Sequence, residues 1–210
     1  MISVGSRREE VLICARNVIM RDGLEAASLR RIAHEGGFTT GVLTHYFLDK
    51  NDLITACFVW TMSEWLDRAE SDLREAPTAE EAIRRFIVIS LPHEAPRHGE
   101  WRLWLNFIVT AAHNQQLAAL LVDVDHRWEG LVEERVAQWQ SAGLLAASIP
   151  PSQQAQILAR LGDGLGLRAL VTGEWNDARS QFIGALSAMG LPADVAQRLL
   201  SEHSTQEGSS

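Results

Sequence analysis

The chain has 210 residues, 46% hydrophobic and 22% charged, which is enough for a substantial core and excludes a disordered polar chain. Its apolar stretches, Trp101 to Ala112 among the best, are broken or fall short of the roughly 20 residues that cross a bilayer. Met1 to Ser6 leads directly into Arg7-Arg8-Glu9-Glu10 rather than an apolar signal segment. A cytoplasmic location and no membrane partner are therefore expected. Cys14 and Cys57 lack the spacing of a metal knuckle or redox pair and are expected to pack as small apolar groups, with no cofactor or metal.

The net charge is −8, an awkward sign for a protein that would neutralise phosphates. Its distribution is uneven. Residues 1–50 hold seven basic and six acidic side chains, a net of +1, so the remaining 160 residues carry −9. A nucleic-acid surface, if present, belongs in the first 50 residues, and the rest repels DNA.

Almost every segment has helical periodicity. Val11, Ala15, Val18 and Ile19 place a first helix over about residues 7–22, with Gly23 as its stop. Ser28 is an N-cap for a short second helix, Leu29 to Glu35, closed by Gly36-Gly37. Thr39 or Thr40 caps a third through about Phe47. Asp49 or Asn51 caps a fourth, running from Asp52 past Trp65. After Pro77, Thr78-x-x-Glu81 has the pattern of a capping box for a helix with Ala82, Ile83, Phe86, Ile87 and Ser90, which Pro92 and Pro96 end. Further helices are predicted over about Glu100 to Ala112, Gln115 to Ala142, Gln153 to Thr172 and Ala178 to Met189. An amphipathic stretch follows Pro192. There is no strand alternation and no repeat of 20 to 50 residues. The fold class expected is all-α: a three-helix DNA-binding domain over 1–50, a helical ligand-binding and dimerisation domain over 51–203, and a disordered tail over 204–210.

Two short capped helices joined by a glycine-containing turn form a helix-turn-helix, in which the first helix braces the second in a major groove. On the third helix, Val42, Leu43 and Phe47 are placed to face inward and Thr40, Gly41, Thr44 and His45 outward. Threonine methyls suit thymine; hydroxyls and imidazole suit polar base edges. Phe47 reads as core. Tyr46, the only tyrosine, carries a hydroxyl that needs a partner.

The run Leu29-Arg30-Arg31-Ile32-Ala33-x-x-Gly36-Gly37-Phe38-Thr39-Thr40-Gly41-Val42-Leu43-x-His45-Tyr46-Phe47-x-x-Lys50-x-x-Leu53 resembles the DNA-binding domain of the TetR family, over about residues 8–54. The part from Thr40 to Asn51 is similar to the BetI subgroup. The resemblance implies that Tyr46, Lys50 and the helix starts at Ser28 and Thr39 contact phosphates, which suits their donors. Phe38 departs from the pattern, where a smaller apolar residue is usual, as does Leu48, often a proline or polar residue.

All seven tryptophans, Trp60, Trp65, Trp101, Trp104, Trp128, Trp139 and Trp175, lie outside this unit. They serve either as core or as an aromatic cage for a soft cation. The second half also resembles the BetI type, through Trp101-x-x-Trp104-Leu105-x-Phe107, Arg127, Arg135 and Leu161-Gly162-Asp163-Gly164-Leu165. By that resemblance an amine or quaternary ammonium effector is a candidate. Glu64, Trp65, Trp104, Phe107, Asp125, Trp128 and Glu129 are the candidate ligand residues. Leu158, Leu161, Leu165, Leu170, Phe182, Leu186 and Met189, with nearby glycines and alanines, suit a homodimeric four-helix interface, with an intrachain bundle as the alternative.

Enzyme signatures are absent. Gly162-x-Gly164-x-Gly166 follows no strand, the seven histidines form no HExxH, and there is no Gly-x-Ser-x-Gly. Asp123, Asp125 and His126 point in different directions on a helix. The expectation is a ligand-responsive regulator, a repressor released from a palindromic operator in double-stranded DNA by a small molecule. The alternative is an all-helical binding module or small-molecule enzyme without DNA activity.

Overall fold

Helix signals of two kinds organise the chain, polar caps at the starts and glycine or proline at the ends, and the computed structural model shows what each does. It describes residues 6–91 and 95–204. Among these are ten helices and no strand: α1 (Arg7–Asp22), α2 (Leu29–Glu35), α3 (Thr40–Tyr46), α4 (Lys50–Arg74), α5 (Ala79–Ser90), α6 (Ala95–Ala111), α7 (Gln115–Ser141), α8 (Pro151–Thr172), α9 (Trp175–Ala188) and α10 (Ala193–Ser204). The expected tail lies outside the described residues from 205 onward, while Ser204 ends α10.

The capping box stands at the start of α1, where Ser6 Oγ accepts from Glu9 N at 3.3 Å and Glu9 Oε2 accepts from Ser6 N at 3.0 Å. At α5 only half of the expected box forms. Thr78 Oγ1 accepts from Glu81 N at 3.1 Å, but the Glu81 carboxylate turns to Arg84 and Arg85, at 2.8 and 2.9 Å. A nearby guanidinium outcompetes a backbone N–H for a carboxylate. Pro96, expected as a breaker, sits in the first turn of α6, where its missing N–H costs nothing. Pro151 likewise opens α8.

The chain divides into two compact units, one comprising the residues up to Trp65 with Gly99–Val124, the other Leu66–His98 with the chain from Asp125. The division falls within α4, α6 and α7.

In the first unit α1 packs on α2 and α2 on α3. Val11, Leu12, Ala15, Val18 and Ile19 of α1 meet Ile32, Ala33, Leu43 and Phe47, and the same core takes in Leu53, Cys57, Phe58, Leu103 and Phe107. Each large side chain contributes about 1.5–3 kcal/mol on burial. Cys14 and Cys57 are free thiols, half-buried and buried. Burial pushes the Cys57 thiol up to about 12, so it is unreactive. The end of α1 is tied to α2 by an ion-pair network. Arg21 bonds Asp22 and Glu35, each at 2.9 Å, and Arg31 reaches Asp22 at 2.9 Å.

In the second unit α8 packs on α5 and α9, and α9 on α10. The Phe86 ring is the hub, 5.8 Å from Trp128, 5.4 Å from Trp139 and 5.7 Å from Phe182, centroid to centroid. The turn between α7 and α8 is held from inside. Gln140 Nε2 donates to the carbonyls of Ala146 and Ile149 and to Gln154 Oε1, at 3.2, 2.8 and 2.9 Å.

The α1–α2 network makes a pH-dependent contribution to stability. Hydrogen bonds from Arg21 and Arg31 hold the Asp22 carboxyl at about 2, below its ordinary 3.8, and Arg21 also lowers Glu35. A depressed carboxylate stabilises the fold above its unfolded value and loses that contribution as pH falls toward its folded one. Thermal unfolding by circular dichroism should therefore show stability falling between about pH 4 and pH 2, and Asp22→Asn should remove part of that acid dependence while leaving the curve near pH 7 lower and flatter.

Candidate nucleic-acid and effector sites

The turn that aims α3 is built from two glycines and a ring. Gly37 has φ +64°, a left-handed conformation that disfavours a side chain. Gly36 lies beneath the ring of Phe38, so that an added Cβ would stand 2.2 Å from its Cε2. The Arg7 guanidinium lies over this ring, 4.4 Å from its centroid. The chain then enters α3, only seven residues long and anchored by Leu43 and Phe47, 0% and 2% exposed.

With those two residues down, Thr40, Gly41, Thr44, His45 and Tyr46 are exposed together on the outer side of α3. The Thr44 hydroxyl donates back to the carbonyls of Thr40 or Gly41 at 3.3 Å, leaving its oxygen lone pairs and methyl as outward features. Thr39 is the N-cap of α3 by backbone position but makes no side-chain cap bond, so its hydroxyl is uncommitted within the helix. Ser28 Oγ accepts from Arg31 N at 3.2 Å and keeps its own proton to donate. Tyr46 stands edge-on to His45 at 4.8 Å. Lys50 is only partly exposed, its Nζ 3.4 Å from the Leu24 carbonyl, which leaves two of its three protons for another acceptor. The eight predicted residues thus lie on α3, at the N-caps of α2 and α3, and at the first residue of α4.

Leu48 is 92% exposed at the corner after α3. Asp52 Oδ2 accepts from Leu48 N, and Asp49 Oδ1 accepts from Asp52 N, both at 2.9 Å. The start of α4 is thereby fixed, with Asp49 rather than Asn51 as its cap, and the helix begins at Lys50, two residues before the expected Asp52.

Sequence reasoning passed over Arg30. Most other basic residues of the first 50 are committed within the fold: Arg7 to Glu10 and Phe38, Arg8 to the Phe47 ring, Arg16 to the Trp60 ring, Arg21 and Arg31 to the acidic network. Arg30 is exposed in the first turn of α2, with no such commitment among the described residues. Counting which basic residues face acidic neighbours on the same helical face could have singled it out.

The seven candidate ligand residues divide between the units. Glu64, Trp65, Trp104 and Phe107 are in the first; Asp125, Trp128 and Glu129 are in the second. Phe107 is fully buried, stacked on Phe58 at 5.1 Å with Trp104 edge-on at 5.9 Å, so its role is core packing. Trp128 stacks on Phe86. Asp125 and Glu129 both bind Arg160, at 3.2 and 2.6 Å. Burial nonetheless raises the Asp125 carboxyl above its ordinary range. No cluster of metal-binding side chains exists among the described residues, and no helix is long and apolar enough to cross a membrane.

A braced seven-residue helix presenting polar side chains, at the head of an otherwise all-helical chain, defines a helix-turn-helix regulator. Comparison with known proteins agrees. Residues 12–57 match the bacterial regulatory proteins of the tetR family, and residues 79–186 match the C-terminal region of BetI-type transcriptional repressors. The chain belongs to the TetR family of transcription regulators and is not an enzyme. It is similar to the HTH-type transcriptional regulator BetI of Cronobacter sakazakii, 27% identical over 177 residues that cover 80% of this chain and 81% of that one. The regulator PksA of Bacillus subtilis is 25% identical over 168 residues, 79% of each chain. Among solved structures, a putative transcriptional regulator from Saccharomonospora viridis in complex with choline has a TM-score of 0.79 at 22% identity, covering 88% of this chain and 97% of that one.

The glycine turn yields a coupled mutational test. Gly36→Ala forces the Phe38 ring out from under Arg7 and should destabilise the protein by about 1–3 kcal/mol, the usual range for overpacking. Phe38→Val removes the obstructing ring, so the double variant should be more stable than the sum of the two single losses predicts. Denaturant unfolding of the four proteins measures that coupling.

Proposed function

We propose that this regulator is a homodimeric repressor that binds a palindromic operator and is released by a small-molecule effector, acting in the cytoplasm. Residues 1–50 form its DNA-binding domain and residues 51–203 its ligand-binding and dimerisation domain. The observation that carries the reading is the exposed polar face of α3, Thr40, Gly41, Thr44 and His45, held over the buried pair Leu43 and Phe47. In the complex these four meet base edges. Ser28, Thr39, Tyr46 and Lys50 meet phosphates, joined by Arg30.

The dimer rests on α8 and α9. Leu158, Leu165, Phe182, Leu186 and Met189, expected as interface candidates, are buried inside the protomer because they form the faces with which these helices pack on α5 and on each other. A different face is left for a second copy. Ile157, Leu167 and Val171 are exposed on α8, and an added Cβ at Gly164 or Gly184 would meet nothing within 4 Å. Small residues beside exposed apolar ones let helices of two protomers approach closely. A twofold axis would then set the two α3 helices about one DNA turn, roughly 35 Å, apart.

Release requires that the effector bind one conformation better than the other, since equal affinity shifts nothing. Helix α4 continues from the reading unit as one 25-residue helix and is the natural lever. The choline complex of the Saccharomonospora viridis protein is the observation in favour of an amine effector, with Trp65 and Trp104 as candidate aromatic faces and Glu64 as a carboxylate. Against it, Asp125 and Glu129 are already neutralised by Arg160.

The DNA reading is tested by fluorescence anisotropy with labelled DNA flanking the protein's own gene, at several salt concentrations and with nonspecific competitor. Saturable binding that survives competitor is expected. Arg30→Ala and Lys50→Ala should each weaken it and lower the salt slope by about 1 without altering folding. Binding no tighter than to competitor would overturn the reading. For the dimer, sedimentation equilibrium of Val171→Glu, at a site 78% exposed in the protomer, should give a monomer mass where the parent gives twice that, with helical content retained.

A further inference from the structure

α3 reads Thr40-Gly41-Val42-Leu43-Thr44-His45-Tyr46 and holds no arginine, lysine, asparagine, glutamine or acidic residue. The bidentate pairings that recognise guanine and adenine, and the carboxylate that accepts from cytosine, are therefore missing from the helix that enters the groove. With Leu43 and Phe47 buried, its outward surface is Thr40, Gly41, Thr44, His45 and Tyr46. Residues three and four apart share a helix face, so Thr44 is the neighbour of both Gly41 and Thr40.

Two of these residues carry features that packing within the protomer does not explain. Thr44 turns its hydroxyl proton back to the carbonyls of Thr40 or Gly41, at 3.3 Å, so its methyl becomes the main group it offers to a base. Gly41 lies within α3 and has no positive φ. Among the described residues, a Cβ added there would meet only Thr39 Oγ1, at an ordinary 3.7 Å. Alanine would fit this place and is the better helix former. A glycine on an exposed helix face, where neither backbone conformation nor internal crowding asks for one, suits an outside surface that comes closer than a side chain permits.

We propose that Gly41 and Thr44 together recognise a thymine in each operator half-site: the Thr44 methyl packs on the thymine C5-methyl, and the bare Cα of Gly41 lets α3 sink far enough into the major groove for that contact. This rests on the reading of the chain as an operator-binding regulator and names a base that it selects. Of the four bases only thymine shows a methyl group in the major groove. An apolar contact also fits a reading helix without lysine or arginine in a chain of net charge −8, where selectivity has to come from shape more than from attraction. His45 remains as the one nitrogen-bearing side chain of α3 for a polar base edge.

The test uses the full chain and its operator, located by footprinting the DNA that flanks the gene or by selection from random duplexes. If no duplex is bound above nonspecific competitor, the regulator reading falls and this assignment with it. On the operator, each thymine of a half-site is replaced in turn by deoxyuridine, which lacks only the methyl, and binding is compared by anisotropy. At one thymine or more the loss should be about fourfold, the effect of one methyl group removed from water. Changing both half-sites should cost about fifteenfold, since separate positions add. Thr44→Ser should bring the thymine and uracil operators level at that position, whereas Thr44→Val, which keeps a methyl and drops the hydroxyl, should retain the preference. Gly41→Ala should weaken operator binding about tenfold or more, as overpacking does, while Tm in circular dichroism stays level or rises. Indifference to every thymine methyl, or a preference that Thr44→Ser leaves intact, overturns the proposal while the regulator reading stands. So does a preference lost in Thr44→Val, which would put the hydroxyl at the base, or full operator binding by Gly41→Ala.

Discussion

A seven-residue helix has too few internal hydrogen bonds to repay its own nucleation in water. α3 therefore exists only because Leu43 and Phe47 are buried beneath it, against Ile32 and Ala33 of α2 and the apolar face of α1. Everything that the helix presents outward inherits its position from that burial. The same constraint explains the glycine turn, since a left-handed Gly37 and a Gly36 without Cβ let the chain reverse within a few residues and set the two helices at the required angle. Phe38 adds a third element. Its ring fills the space over Gly36 and is itself capped by Arg7, so the first turn of α1 helps hold the corner.

Charge is used economically in this unit. An acidic protein that approaches DNA cannot rely on overall attraction, and most of the arginines of the first 50 residues are spent internally, on aromatic rings or in the Arg21–Asp22–Arg31–Glu35 network. The few cationic groups left outward are Arg30, in the first turn of α2, and part of Lys50, at the start of α4. Binding organised this way depends on placement more than on field strength, and its salt dependence should be modest for a DNA-binding protein.

The second unit shows a different accounting. Its turns and helix ends are closed by matched donors and acceptors, Gln140 with the α7–α8 turn and Arg198 with Glu80 at 2.8 Å. Its centre is closed by packing instead, the Phe86 ring lying among those of Trp128, Trp139 and Phe182.

Helix number, helix type and the reading unit were legible in the sequence, because capping residues, apolar periodicity and the Gly36-Gly37 turn act over a few residues and leave local marks. The exposure of Thr40, Gly41, Thr44, His45 and Tyr46 was legible for the same reason: on a short helix, knowing which two residues are buried determines which are exposed. Other features required the tertiary structure. Pro96 opens a helix rather than ending one, and Glu81 leaves its capping box for two arginines, both outcomes of competition that the local pattern does not contain. Periodicity shows that α8 and α9 each have an apolar face but cannot say which face meets α5 and which is left bare. Likewise the sequence offers Asp125 and Glu129 as possible ligand groups. Only long-range packing decides that Arg160 consumes both carboxylates, because hydrogen-bond satisfaction is a property of neighbours in space and not along the chain.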